Sequence, residues 1–424
     1  MRLPQAAAGH AAARGRGPAD RSRALVRRRR SLARPRGGTG RRVARGAGAH
    51  RIRAHRRGGA GARRQAGDHR GQPDGSGVLD PARVVNVRAD RPDAGRLLGL
   101  IDAFASQRIV VAGDLIADEF IYGQIARVSR EAPVLILNYD STEIVPGGAG
   151  NAANNVAALG GSARAIGIAG RDETGRRLVD VLKGNRVDVT RIVRPAAYPT
   201  PTKTRILAGG IHSAKQQVVR IDRAAAATAD EGASQAFEAR VLAALPRCDA
   251  LLVSDYGSGL VTPALIAHAR ERMRKGAPVL VDSRYALLRF RAMTACTPNE
   301  SEVEQAMGIR IGDNRRVLER AGRALLQRTR ARAVLVTRGS RGMALFEPEC
   351  PTVHIPIFGS DQISDVTGAG DTVIATMTLA LAAGATFFEA ASLANYSGGL
   401  VVMKRGTATV CADELRQAVT IDAE

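Results

Sequence analysis

Arg108-Ile-Val-Val-Ala-Gly-Asp-Leu-Ile-Ala-Asp118 is a β-branched apolar run that stops at a glycine and leads into two carboxylates four residues apart. An apolar run without polar alternation reads as a strand buried on both faces. Strands and helices alternate downstream of it. The pattern predicts further strands over Ala163–Ile168, Ala250–Ser254, Pro278–Asp282, Ala295–Thr297 and Ala333–Thr337. It predicts helices over Ala149–Leu159, Thr174–Lys183, Ser234–Leu245, Pro263–Lys275, Arg315–Arg328, Ala369–Ala383 and Phe387–Met403. That order implies an α/β fold: a doubly wound, mostly parallel sheet covered by helices on both faces. Ligands of such sheets bind at the carboxyl ends of the strands, where Asp114 and Asp118 fall.

Two stretches break the rhythm. Glu119–Ile144 and Thr202–Asp222 are strand-like with no helix between their halves. They are expected to form a small antiparallel sheet, a lid with limits near 119–145 and 200–222. Upstream, Leu97, Leu98, Leu100, Ile101 and Phe104 predict a short amphipathic helix, so ordered structure is expected over 94–424.

Residues 1–93 differ in kind. The first 90 hold 23 Arg, five Asp and no Lys, Glu or aromatic residue, a net charge of +18 against +5 for the rest. Such a segment cannot bury enough apolar surface to offset chain entropy, so disorder is expected. Three readings compete: an arm binding nucleic acid salt-dependently, a transit peptide, for which three Ser are few, or a start codon assigned too far upstream in a GC-rich genome. The third fits 58 Arg against five Lys in the whole chain.

Composition excludes several classes. The longest strongly apolar run, Val373–Ala385, is shorter than the roughly 20 residues a membrane helix needs. The Arg-rich start has no apolar stretch behind it, so no secretory signal is seen. Cys248, Cys296, Cys350 and Cys411 are too far apart for a zinc or disulfide framework and suit reduced thiols in a cytoplasmic protein. No Trp and 3% aromatics leave few platforms for stacking bases.

Five motifs carry chemistry. Asp365-Val-Thr-Gly-Ala-Gly-Asp-Thr372 opens the apolar helix that follows. Backbone N–H groups of Gly368, Ala369, Gly370 and Asp371, with the helix dipole, suit an anion such as a transferring phosphoryl group. Asp371 in that turn can accept a proton from an attacking hydroxyl; the alternative is a capping Asp on a Gly-rich loop. Pro146-Gly-Gly-Ala-Gly-Asn151 opens another helix, where Gly147, Gly148 and Asn151 can meet a ligand or simply form a turn and cap. Asp114 and Asp118 can clamp sugar hydroxyls or be solvated loop acids. Thr297-Pro-Asn-Glu-Ser-Glu302 fits a capping box from Asn299 to Glu302 and also a carboxylate holding Mg2+ through water. Val336-Thr-Arg-Gly-Ser-Arg-Gly342 joins two strands, as a nucleotide groove at Thr337 and Gly339 or as a plain hairpin. There is no Walker loop, no Gly-x-Gly-x-x-Gly after the first strand and no protein-kinase signature.

These elements, in this order, resemble the ribokinase / phosphofructokinase-B family of sugar kinases, and within it the kinases of heptose 7-phosphate. Val111–Gly123, Val128–Val134 (Val-Ser-Arg-Glu-Ala-Pro-Val), Pro146–Asn151, Ser254-Asp-Tyr-Gly257, Thr297–Glu302, Asp365–Thr376 and Gly406-Thr-Ala-Thr409 carry the resemblance, which extends from about Arg108 to the C-terminus. It implies an ATP-dependent kinase with Asp371 as base and Gly368, Ala369 and Gly370 as anion hole. ATP and Mg2+ are implied at Asn299, Glu300, Ser301, Glu302, Thr337, Gly339, Gly342 and Asn395. The sugar is implied at Asp118, Gly147, Gly148 and Asn151, with Asp114, Lys203, Arg205 and Asp255 as further candidates to contact it. Asp365 is implied beside a monovalent cation, K+.

Two departures stand out: Asp282-Ser-Arg284 replaces the usual Asp-Pro-Lys, and Gly-Gly-Ala-Gly-Asn replaces Gly-Gly-Ala-Ala-Asn. No His-x-Gly-His occurs, so the nucleotidyl-transfer half found in bifunctional relatives is expected to be missing. Lys203, Arg205, Lys215 and Arg220 on the lid strands suit a substrate already carrying phosphate, or a solvated strand face. The leading expectation is heptose 7-phosphate phosphorylated at C1. The rivals are a kinase of ribose, fructose or fructose phosphate, a non-catalytic kinase-like binding protein, and a nucleic-acid-binding protein acting through the tail. A cytoplasmic homodimer joined through the lid, with no membrane contact, completes the expectation.

Overall fold

The computed structural model describes residues 91–209, 215–223, 230–359, 365–404 and 406–424, all within the compact unit Leu79–Glu424. The expectations for residues 1–90 lie outside them. The chain begins with α1 (Ala94–Ala103), β1 (Arg108–Gly113), β2 (Leu115–Val128), β3 (Leu135–Gly148), α2 (Ala149–Ala158), β4 (Ser162–Ile166) and α3 (Glu173–Gly184). It continues through β5 (Thr202–Gly209), β6 (Gln216–Arg223), α4 (Glu231–Ala244), β7 (Ala250–Asp255), α5 (Pro263–Arg272), β8 (Val279–Ser283) and β9 (Ala295–Cys296). The last part is α6 (Glu300–Met307), α7 (Arg315–Thr329), β10 (Ala333–Thr337), β11 (Met343–Phe346), β12 (Val353–Ile355), α8 (Ala369–Ala382), α9 (Phe387–Val402) and α10 (Ala412–Ala423).

The main sheet has the order β12-β11-β10-β9-β8-β7-β1-β4. It is parallel from β4 to β10, with β11 and β12 added antiparallel at one edge. Period-two alternation splits each strand between two cores. Ile109, Val111 and Leu252 pack with α1, α2, α3, α8, α9 and α10 on one face. Val110, Ala112 and Val253 pack with α4, α5, α6 and α7 on the other. The apolar runs read from sequence are therefore strands buried on both faces. α10 and β12 were not anticipated: each shows few apolar residues, and Leu415 and Val419 are buried only because α9 and α1 lie against them.

The second sheet, β3-β2-β5-β6, projects from the carboxyl end of β1. It corrects the expectation of an antiparallel lid, because β2 and β5 pair in parallel, Asp118 opposite Lys203. The reason is connectivity: β5 is reached only after α2, β4 and α3, and returns in the direction of β2. Large side chains at Val128, Leu135, Tyr139, Val219 and Ile221 stand exposed on this sheet. Among the described residues, no helix is long and apolar enough to cross a membrane, and all four cysteines are free.

Candidate active site

The carboxyl end of β1 meets the start of α2, and β7 and β8 pack against α8. That helix is entered through Gly368, whose φ of +80° is left-handed. A Cβ there would lie 2.6 Å from the side-chain nitrogen of Asn151, so both conformation and space require glycine. Gly148 has the same double constraint: φ is +57°, and a Cβ would lie 2.5 Å from the Asp114 carbonyl oxygen. The two glycine turns thus bring the starts of α2 and α8 together.

Asp371 occupies the third position of α8 and is 4% exposed. The Asn151 Nδ2 donates to its Oδ2 at 2.7 Å, and the Tyr256 hydroxyl donates to its Oδ1 at 3.3 Å. Asn155 Nδ2 donates to Asn151 Oδ1 at 3.1 Å, which fixes the Asn151 amide with its nitrogen toward Asp371. Thr372 Oγ1 in turn donates to Asn155 Oδ1 at 2.9 Å. Burial pushes the Asp371 carboxyl up to about 7; the two donors oppose this, the charge of Asp118 adds to it and Lys203 offsets it. A carboxylate poised near neutrality suits a general base. The anion hole needs one correction: the Ala369 N–H donates to the Val366 carbonyl at 3.3 Å. Gly370 and Asp371 retain first-turn N–H groups, which have no intrahelical acceptor.

Beside this turn lies a cavity of about 450 Å³ between the main sheet and the lid. Tyr256 lines it, and its hydroxyl is the link to Asp371. Lys203 and Arg284 also line it. The Lys203 ammonium sits 5.1 Å from the Tyr256 ring centre, and burial lowers its pKa. Among the described residues, neither cation has an acid within ion-pair distance.

Other anticipated sugar contacts have different partners. Arg205 pairs with Asp118 at 2.6 Å and packs over Phe120, so it neutralises Asp118 and does not line the cavity. Asp118 lies against Gly147, close to the Asp371 charge. Asp114 accepts the Tyr256 N–H at 2.7 Å and the Ser258 hydroxyl, and Asp255 accepts from Ser283 Oγ at 2.7 Å and the Gly257 N–H at 3.0 Å. These two acids shape the loop carrying Tyr256, and Asp114 also lines the cavity. Lys215 pairs with Asp140 on the lid, while Arg220 reaches the cavity but holds Asp222 at 2.7 Å.

At the nucleotide side, Asn299 and Glu302 form the capping box of α6, with both hydrogen bonds at 2.9 Å. Thr337 bridges to Asn299 across the sheet end. Glu300 does not face a ligand: Arg341 holds it at 2.7 Å and Arg338 at 3.4 Å, locking the Gly339–Gly342 turn. Ser301 is exposed on α6. Asn395 donates to the Pro356 carbonyl at 2.9 Å, which ties α9 to the loop after β12. Asp365 accepts the N–H groups of Thr367 at 2.9 Å and Gly406 at 3.2 Å, clasping two loops.

Sequence reasoning passed over Tyr256, Asn155 and Asp282. Asp282 is half-buried near the end of β8, and desolvation, then the charges of Glu302, Asp371 and Asp255, push its carboxyl well above the usual range, against Arg284. The signal for it was its place at a strand's carboxyl end.

Residues 107–415 match the family described as pfkB family carbohydrate kinase. The chain is 40% identical over 324 residues to "Bifunctional protein HldE" of Coxiella burnetii (strain Dugway 5J108-111), covering 75% of this chain and 65% of that protein. It is 41% identical over 315 residues to the protein of the same name from Geobacter metallireducens, covering 72% and 61%. The chain therefore spans somewhat under two thirds of the length of these relatives. The Arabidopsis thaliana ribokinase complexed with ribose and ATP superposes with a TM-score of 0.58 at 19% identity, over 74% of this chain and 98% of that one. Escherichia coli phosphofructokinase-2 with fructose-6-phosphate superposes with a TM-score of 0.62 at 22% identity, over 75% and 100%. Those likenesses establish the ribokinase-like fold.

Proposed function

The chain belongs to the pfkB family of carbohydrate kinases, and from that premise we propose that it transfers the γ-phosphoryl of ATP to the C1 hydroxyl of heptose 7-phosphate, giving heptose 1,7-bisphosphate and ADP. The observation that carries the reading is the placement of Asp371: buried in the first turn of α8, poised near neutral pH, and joined through Tyr256 to a cavity lined by Lys203 and Arg284.

In this reading the sugar lies in the cavity with its existing phosphate toward Lys203 and Arg284. The C1 hydroxyl approaches Asp371, which takes its proton as the oxygen–phosphorus bond forms and the bond to ADP breaks. Asn151 holds the Asp371 carboxylate in line. The N–H groups of Gly370 and Asp371 face the equatorial oxygens of the transferring group, where charge builds up. The nucleotide lies between Asn299 and Asn395, over Thr337. Thr407, packed against Gly368, has a buried hydroxyl without a partner among the described residues, which fits a phosphate oxygen.

Mg2+ fits the same end of the sheet. Burial raises the carboxyls of Asp282 and Glu302, and negative neighbours raise Asp282 further; a cation would relieve both. Among the described residues there is no cluster of three or more acidic, His or Cys ligands, so phosphate and water oxygens would complete the shell. When bound, the ion would neutralise charge on the phosphates. K+ near Asp365 is a lesser part of the proposal, tested by comparing rates in K+ and Na+. The exposed apolar face of the lid supports a homodimer joined there, and ATP as co-substrate suits the cytoplasm.

The test is an ADP-release screen of the full chain against sugars and sugar phosphates. Heptose 7-phosphate should give the highest kcat/KM. Preference for ribose, fructose or fructose 6-phosphate would replace the substrate assignment while leaving a sugar kinase. No turnover with any sugar would favour a binding protein.

A further inference from the structure

A second cavity opens at the opposite end of the main sheet, at the amino ends of β1, β4 and β7. Its volume is about 520 Å³, larger than the one beside Asp371. Arg108, Arg164, Arg191 and Arg247 line it, with Asp188 as the one acid. Asp188 is already engaged: it holds Arg164 at 2.5 Å and accepts the N–H and hydroxyl of Thr190 at 3.0 and 2.6 Å. Arg108 is paired with Asp249, which also takes Arg274 at 2.6 Å. Arg191 and Arg247 have no acid within ion-pair distance among the described residues.

The local balance is therefore strongly positive. Guanidinium groups grip phosphates with paired hydrogen bonds, and concave walls of one sign concentrate the field. The volume suits a small molecule, and its concave shape disfavours a nucleic-acid duplex, which needs an open face. We propose that this cavity binds a phosphorylated small molecule through Arg191 and Arg247, at a site separate from the kinase centre. β1 runs from Arg108 in this cavity to Gly113 and Asp114 beside the other, so the two sites share one rigid strand.

The probe is inorganic pyrophosphate, titrated calorimetrically into the full chain at constant ionic strength. The comparison is Arg191→Ala/Arg247→Ala against Arg316→Ala/Arg320→Ala, which removes the same charge from α7. Binding at residues 1–90 or at the kinase centre is common to all three proteins. The expected result is loss of one class of binding, at least about tenfold in affinity, in the first variant only. Equal loss in both variants would mean non-specific charge attraction, and no loss in either would mean no site; each overturns the proposal. Should the Ala variant melt early, Arg191→Lys/Arg247→Lys keeps the charge and removes the forked geometry. It should still weaken binding several-fold, and unchanged binding would again overturn the site. Displacement of pyrophosphate by short RNA more effectively than by nucleoside diphosphates would also count against it. The kcat without added anion should be unchanged in every variant.

Discussion

Asn151 donates its side-chain amide to Asp371 across 2.7 Å, joining the first turns of two helices that lie 220 residues apart in sequence. Each helix is entered through a left-handed glycine, so the contact depends on two backbone conformations that only glycine adopts easily.

Asp371→Asn should lower kcat by about 10²–10⁴ while ATP affinity stays close to the parent's, since an amide keeps the shape but cannot take a proton. Steady-state kinetics with calorimetric ATP titration check this, and near-normal kcat would remove the base assignment. The same variant carries a stability signature. The Asp371 carboxyl titrates near 7 in the folded chain, against an ordinary 3.8. Stabilisation from its neutral form is complete below pH 3.8 and lost as pH rises through 7. The variant's Tm relative to the parent should therefore rise from about pH 4 to about pH 7 and level off above it.

Tyr256→Phe removes a hydrogen bond that favours the ionised form of Asp371. Asp118 and Lys203 also act on that carboxyl, with opposite signs, and remain in place. The acid limb of the kcat–pH profile should move to higher pH. A fixed limb with reduced kcat would mean that the hydroxyl matters only for packing.

Gly368→Ala would place a methyl 2.6 Å from Asn151 at a φ of +80°. The strain is about 1–3 kcal/mol, and Asn151 must move away from Asp371. Activity should fall by more than about 100-fold, since small displacements at a reacting centre are costly, while the Tm drop stays modest. Equal activity in the variant would show that the turn tolerates a side chain.

Lys203→Ala and Arg284→Ala should each raise KM for a phosphorylated sugar roughly tenfold or more, with little change for the unphosphorylated sugar. Arg205→Ala should instead impair both sugars alike, because Arg205 neutralises Asp118 and does not line the cavity. kcat/KM ratios for both sugars in the three variants decide the matter, and a selective effect confined to Arg205 would reverse the roles.

Deleting residues 1–90 should leave kcat and Tm unchanged while abolishing most salt-sensitive binding to polyanions. A collapse of activity would make that segment part of the enzyme.

The sequence by itself determined the parallel core of the main sheet and the helices that alternate with it, though not β12 or α10, because each apolar run is local and its period is set by backbone geometry alone. It also determined the two glycine turns and Asp371, since a left-handed entry to a helix needs glycine wherever the helix is. What it could not determine was who answers each charge. Asp118, Asp114, Asp255 and Glu300 resemble free ligands in a string of letters. Arg205 answers Asp118 from the neighbouring lid strand, Tyr256 and Ser258 answer Asp114, Ser283 answers Asp255, and Arg341 answers Glu300. Lys203 and Arg284 stand out only by lacking such a partner among the described residues. Pairing depends on distances of a few ångströms between segments dozens to hundreds of residues apart, and those distances exist only once the two sheets have packed.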